Sequence, residues 1–302
     1  MRPRLNPSLR HVIAALLVAA SGACAGPAAT AAGTRLVDDF GDTLAWSGAP
    51  PHRIVSLNPT TTELLYAIGA GARLVGRTSY DRLPAEVRSL PDLGPGIRPN
   101  VESVLGAAPD LVILYASDDN RDAARRLRAS GVHTASFRVD RLRDFRRVTL
   151  ALGRITGETA AARATVDSVE RTLDRVRAAT AALPKPTVFW PVWMSPLLAI
   201  GGGSYLDELL TIAGGRNIYG ELPQPSPSVS FEDLVRRDPD VILASVSWRE
   251  RTRVEPRWAT LRAVREQRVL LFDTTIVNGP SARVGAGAAG LAVLLHPGMR
   301  AP

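Results

Sequence analysis

The chain has 302 residues and 32.3 kDa, enough for two lobes rather than one ordinary core. Its 45% hydrophobic and 22% charged residues exclude wholesale disorder, and no apolar run reaches the roughly 20 residues of a spanning helix, which excludes a polytopic membrane protein. The formal charge of +8 rests on arginines scattered among acids, with Lys185 the only lysine, so nucleic acid is not an expected partner.

Residues 1–25 read as an export signal. Arg2, Arg4 and Arg10 form a basic start, Val12 to Ala20 a short apolar core, and Ser21-Gly22-Ala23-Cys24 a small-residue exit. Cys24 is the only cysteine, which excludes an internal disulfide framework and a Cys-rich zinc module. It sits where a lipoprotein carries its acylated residue, which would anchor the chain to a membrane. Ser21 departs from the aliphatic residue usual three positions earlier. Ala23-Cys24-Ala25 also fits ordinary signal cleavage, which would release the chain. Residues 26–33, rich in Ala, Pro and Gly, follow as a tether.

Strands then alternate with helices. Arg53–Leu57 is expected as a strand, Thr61–Ala70 as a helix and Leu74–Thr78 as a strand. Next come a helix at Arg121–Ala129, a strand at His133–Arg138 and a helix at Leu142–Ile155. Glu158–Leu183 lacks Gly and Pro, and Thr165, Val169, Leu173 and Val176 form one stripe, which predicts a helix about 39 Å long. Beyond it, Thr187–Val192 and Leu197–Ile200 read as strands and Tyr205–Ala213 as a helix. The helix Ala259–Glu266, the strand Val269–Phe272 and the helix Ser281–Leu295 close the chain. Such alternation predicts an α/β fold with parallel-rich sheets.

One passage occurs twice. Residues 101–114, VESVLGAAPDLVIL, match residues 231–244, FEDLVRRDPDVILA, pairing Glu102 with Glu232, Pro109 with Pro239 and Asp110 with Asp240. Each copy is a short helix, a Pro-Asp break and a continuous apolar strand of the kind covered by helices on both faces. One α/β lobe is used twice. The expected organisation is a lobe over 34–156, a rigid connecting helix over 157–184, a second lobe over 185–302, and a ligand cleft between the lobes.

At this point the chain resembles the substrate-binding proteins of bacterial ABC importers for cobalamin, ferric siderophores and haem, the helical-backbone, class III periplasmic binding proteins. It is most similar to the cobalamin-binding members. The segments that carry the resemblance are RIVSLNPTTTELLYAIGAG (53–71), GRTSYD (76–81), PNVESVLGAAPDLVIL (99–114), GGGSYLDELLTIAGGRNIY (201–219) and FEDLVRRDPDVIL (231–243). The opening RLVDDFGDTLAW resembles the hairpin with which many members begin. The resemblance spans about residues 34–300 and implies an exported, monomeric binding protein in the periplasm or cell envelope. Its ligand would be a metal chelate, and its partners a permease dimer with ATPase subunits.

The resemblance also assigns residues. Glu102 and Glu232, each behind a candidate N-cap (Asn100 and Ser230), would dock onto arginines of the permease. As simple helix-dipole partners they are worth about 0.3–1 kcal/mol each. Tyr80 in the first lobe, Trp190 and Trp193 in the second, and Tyr115 after the repeat strand would face a flat macrocycle. Arg283 would meet an anionic ligand edge. Two family tryptophans are missing: Leu93-Gly94-Pro95-Gly96-Ile97 and Pro223-Gln224-Pro225-Ser226 stand in their places, which leaves room for a siderophore or another corrinoid.

Other signals carry less. Past the leader, His52, His133 and His296 are widely separated, so no bare transition-metal site is expected, although His52 could touch a haem iron. Gly285 to Gly290 matches GxGxxG but falls within the last helix, where small residues favour close packing. Gly201-Gly202-Gly203-Ser204 reads as a tight turn at a helix start. An exported α/β hydrolase using Ser204, His296 and Asp273 is the competing class; G-x-S-x-G and H-E-x-x-H are both absent, and no catalysis is expected.

Overall fold

The computed structural model describes residues 34–46, 49–272 and 279–301. The expected export signal with Cys24, and Asp273, lie outside them. The described chain opens with a hairpin of β1 (Thr34–Val37) and β2 (Thr43–Trp46). Its N-terminal lobe continues through β3 (Ile54–Leu57), α1 (Pro59–Ala67), β4 (Leu74–Gly76), α2 (Val101–Gly106), β5 (Leu111–Tyr115), α3 (Asp118–Ala129), β6 (His133–Phe137) and α4 (Leu142–Thr156). After α5 (Thr159–Thr180) the C-terminal lobe begins with β7 (Thr187–Phe189), β8 (Pro191–Trp193), β9 (Leu198–Ala199), α6 (Tyr205–Ile212) and β10 (Arg216–Asn217). It ends with α7 (Phe231–Arg237), β11 (Val241–Ala244), α8 (Val246–Val254), α9 (Arg262–Arg265), β12 (Val269–Leu271) and α10 (Val284–Leu295).

Two parallel sheets carry the fold, in the orders β4-β3-β5-β6 and β10-β7-β11-β12. Corresponding strands hold corresponding places, so the repeat in the sequence is a repeat in topology. The Pro-Asp pair explains how each copy is built. Ala108 and Asp238, the residues before the two prolines, both adopt a left-handed conformation, with φ of 47° and 37°, that ends the helix. The aspartate that follows clips the start of the lobe's first strand. Asp110 accepts from the backbone N–H of His52 (2.8 Å) and Arg53 (3.1 Å), and Asp240 from the backbone N–H (2.8 Å) and hydroxyl (2.7 Å) of Thr187. Burial raises the Asp240 pKa, but the Thr187 hydrogen bonds and the Arg262 guanidinium outweigh it and hold the carboxyl below its ordinary value.

The connecting helix α5 has 22 residues and is about 33 Å long, shorter than expected because Glu158 serves as N-cap and Ala181 as C-cap. Its buried face is Ala162, Val166, Val169, Leu173, Val176 and Thr180; Val166 takes the place expected of Thr165. That face joins residues of both sheets, α4, α6 and α10 in one apolar core, so the helix is packed along its length. Gly285 of α10 sits against Thr172 of α5, where an added Cβ would come within 3.1 Å, so close helix packing holds for the first glycine of the GxGxxG run, whereas Gly290 has open space around it.

Three expectations shift. Thr187–Val192 is not one strand: it breaks after Phe189, and Pro191 opens a separate antiparallel hairpin of β8 and β9. The expected helix Ala259–Glu266 is a 3-10 turn at Pro256–Thr260 followed by the four-residue α9. The helix α8 is an addition; its polar sequence buries only Trp248 and Thr252, one turn apart.

Candidate functional site

In parallel α/β sheets ligands lie beyond the carboxyl ends of the strands, and here the N-terminal sheet presents those ends to an interlobe cavity of about 400 Å³ that the C-terminal lobe lines with the start of α6. The N-terminal lobe contributes Asn58 and Thr60 from the start of α1, Tyr115 from the end of β5, and Val139 and Asp140 after β6. The C-terminal lobe contributes Gly203, Ser204 and Tyr205 from the start of α6, together with Pro225 and Gly279. Asn58 and Ser204 are equivalent caps. The Asn58 side chain accepts from Thr60 N–H at 3.0 Å, and the Ser204 hydroxyl from Leu206 N–H at 3.1 Å.

Backbone packing shapes the cavity floor. Gly96 has a φ of 79°, and a Cβ there would stand 2.5 Å from the carbonyl of Leu57, directly before Asn58. Asn120, fully buried, holds this loop by donating to Gly96 O and Tyr115 O, both at 3.0 Å, and accepting from Arg98 N–H at 2.9 Å. In the second lobe, Gly201 and Gly202 donate to Pro225 O (3.1 Å) and Leu222 O (2.8 Å). A Cβ at Gly201, Gly202 or Gly203 would strike backbone carbonyls of residues 220–224. The loops carrying Gly96 and residues 220–225 are thus pressed against the strand-to-helix junctions before α1 and α6.

The expected ligand residues do not converge on one cavity. Tyr115 lines the interlobe cavity and donates to Asp140 Oδ1 at 2.8 Å. Its burial, then that hydrogen bond, push its pKa up to about 12, so it remains a protonated donor. Tyr80 is 61% exposed and belongs to a turn in which Asp81 accepts from the N–H and hydroxyl of Thr78, both at 2.6 Å. Burial raises the Asp81 pKa despite those bonds. Trp193, also 61% exposed, lines a separate cavity of about 340 Å³ with Val192, Met194, Ser245, Ser247, Trp248 and Arg251. Its ring is held by a bond from Nε1 to Ser195 O at 3.1 Å.

Two of the expected ligand residues have partners within the fold. Trp190 is 2% exposed and packs edge-on against Phe272, with ring centroids 5.5 Å apart. It lies at the break between β7 and β8 and belongs to the main apolar core. Arg283 makes a bidentate ion pair with Glu63 of α1, through Nε at 3.0 Å and Nη2 at 2.8 Å, rather than presenting a free edge to a ligand. The two lie beside Tyr66, Leu83, Pro84 and Glu86 in a cavity of about 600 Å³.

Glu102 and Glu232 sit at the second position of α2 and α7. The Asn100 side chain accepts from Ser103 N–H at 3.1 Å, and the Ser230 hydroxyl from Asp233 N–H at 3.0 Å, so both expected caps are formed. Both glutamates are exposed, and Glu102 pairs with Arg126 at 3.0 Å. The hydrolase triad does not assemble. Ser204 caps the start of α6, whereas the His296 ring lies 3.1 Å from Ala213 O at the opposite end of that helix. Among the described residues no helix is long and apolar enough to cross a membrane, and no three His, Cys, Asp or Glu are grouped for a metal.

Asn58, Thr60, Asp140, Gly203, Tyr205 and Gly279 were not anticipated as cavity residues. Their signal lay in topology, since most of them follow a strand's carboxyl end, rather than in side-chain chemistry.

A family model described as periplasmic binding protein matches residues 54–275. A vitamin B12-binding protein of Vibrio parahaemolyticus is 23% identical, over 81% of this chain and 89% of its own. An uncharacterized ABC transporter substrate-binding lipoprotein of Bacillus subtilis is 28% identical, over 82% of this chain and 81% of its own. The crystal structure of a periplasmic heme binding protein from Pseudomonas aeruginosa superposes with a TM-score of 0.73 at 25% identity, covering 83% of this chain and 94% of that one.

Proposed function

We propose, because this chain belongs to the periplasmic binding protein family, that it captures a metal chelate between its lobes and delivers it to an ABC importer. A corrinoid of the cobalamin type is the favoured ligand, in line with the V. parahaemolyticus relative. The observation that carries the reading is the interlobe cavity, to which each lobe contributes the capped start of its first helix, α1 and α6. Tyr115 on its wall would contact the ligand, and the exposed rings of Tyr80 and Trp193 are the further candidates from each lobe. Flat rings bury area at little conformational cost. The protein acts as a binding protein and turns nothing over.

The partner would be a permease dimer with its ATPase subunits, and Glu102 and Glu232 would dock one lobe each. The lobes would run over 34–156 and 185–302, with 157–184 as the strut. An extracytoplasmic location goes with the family, and the lipoprotein name of the B. subtilis relative favours acylation at Cys24. Haem is the second reading. Arg251 beside Trp193 and Trp248 suits the carboxylates and flat face of a porphyrin.

Thermal unfolding against cyanocobalamin, cobinamide, haemin and several ferric siderophores tests the function. A ligand at 100 times its Kd adds about 2.7 kcal/mol, and the expected result is a clear upward shift with corrinoids and none with the others. A shift with haemin alone transfers the function to the second reading. No shift with any of them rejects the chelate.

A further inference from the structure

Two ion pairs cross between the lobes, one on each flank of the interlobe cavity. On the first flank, Glu63 of α1 takes both hydrogen bonds of the Arg283 fork. On the second, Arg141 pairs with Glu208 of α6 and donates from Nη1 to Gly202 O at 3.1 Å. The backbone N–H of Leu142 donates to the same Glu208 carboxylate at 3.0 Å. Cavity residues lie beside each pair: Thr60, Gly279 and Tyr205 by the first, Asp140 and Gly203 by the second.

The two pairs have the same construction with the lobes exchanged. Arg141 is the N-cap residue of α4 and Arg283 that of α10, the closing helix of each lobe. Glu63 and Glu208 lie in α1 and α6, the first helix of each lobe, shortly after the equivalent caps Asn58 and Ser204. Each closing helix therefore holds the opening helix of the other lobe, with the charges reversed from one side to the other. Side-chain exposures of 15% and 30% for Glu63 and Arg283, and of 26% and 30% for Glu208 and Arg141, place both pairs below the surface, where solvent screens them less.

We propose that Glu63, Arg141, Glu208 and Arg283 are positioning residues, a pseudosymmetric pair of straps that sets the aperture of the interlobe cavity. The packed helix α5 limits how far the lobes swing, and the straps fix where within that range they rest. For ligand retention this rests on the reading that the cavity captures a chelate. A fixed aperture keeps the two cap regions at one separation, so less ordering is needed when a rigid ligand enters.

The test uses the full chain in a Cys24→Ser background, with spin labels at Ser103→Cys on the N-terminal lobe and Val235→Cys on the other. Pulsed electron resonance then measures the interlobe distance distribution of the free protein. The double variant Glu63→Ala/Glu208→Ala is expected to broaden that distribution, each single variant to broaden it less, and Glu63→Gln/Glu208→Gln to fall between. Release of cyanocobalamin or haemin, whichever the parent protein binds, is expected to quicken about tenfold in the double alanine variant. If that variant does not fold, the glutamine pair carries the same comparison. An unchanged distribution in a folded double variant would overturn the proposal. If neither probe binds the parent, the capture reading fails on that arm, and the distance measurement still decides the straps.

Discussion

Alanine at both Glu102 and Glu232 is expected to abolish uptake while leaving ligand binding intact. Each glutamate is exposed at the second position of a short helix, one per lobe, and the two copies are equivalent by repeat. A two-fold partner needs such equivalent contacts. Truncating one member of a desolvated interfacial charge pair costs about 2–5 kcal/mol, so losing both lowers docking affinity by about a thousandfold or more. The fold loses little. The Glu102–Arg126 pair is a surface contact, and each helix dipole interaction is worth about 0.3–1 kcal/mol. Transport in cells, set beside ligand binding and melting of the purified variant, checks this. Full uptake by the double variant would remove the docking role, and a collapse in melting temperature would make the glutamates structural.

The second large effect separates two neighbouring tryptophans. Trp190→Ala is expected to destabilise the protein by about 3–5 kcal/mol, because it empties a site filled by a 2% exposed indole packed on Phe272. Trp193→Ala is expected to leave stability within about 0.5 kcal/mol, since its ring is 61% exposed. Chelate affinity should instead fall by about 2 kcal/mol, near thirtyfold, if the exposed indole is an aromatic anchor. Urea unfolding and fluorescence titration with cyanocobalamin and haemin measure the two quantities. The reverse pattern would return Trp190 to the rim and place Trp193 outside the site.

The contrast between these residues shows what the sequence makes legible. The two lobes announce themselves through a repeated Pro-Asp break, whose prolines end helices and whose aspartates clip strands. The first effect is local and tied to residue type; the second reaches more than 50 residues back, and only its recurrence at the same place in both copies shows in the sequence. The boundary between β7 and β8 has no such mark, since Thr187 to Trp193 is apolar on both sides of the turn and only Pro191 hints at the break. Aromatic residues there fit core and rim equally well.

The cavity was harder to foresee for a different reason. Its walls are caps, glycines and strand ends, residues chosen for backbone geometry, and their shared location appears only once the sheets are assembled. The ligand role expected of Arg283 comes from the resemblance alone, and its partner Glu63 lies 220 residues earlier, beyond any local pattern. The equivalence of Glu102 and Glu232 is legible because repeat and helix cap coincide at both positions.

The central claim is that a metal chelate lies between the lobes. The most direct measurement is an anomalous difference map at the cobalt or iron edge, from crystals grown with the chelate that raises the melting temperature most. The account predicts a single metal peak in the space bounded by Asn58, Thr60 and Tyr115 on one side and Tyr205 and Gly279 on the other. A peak on an outer face of either lobe would contradict it.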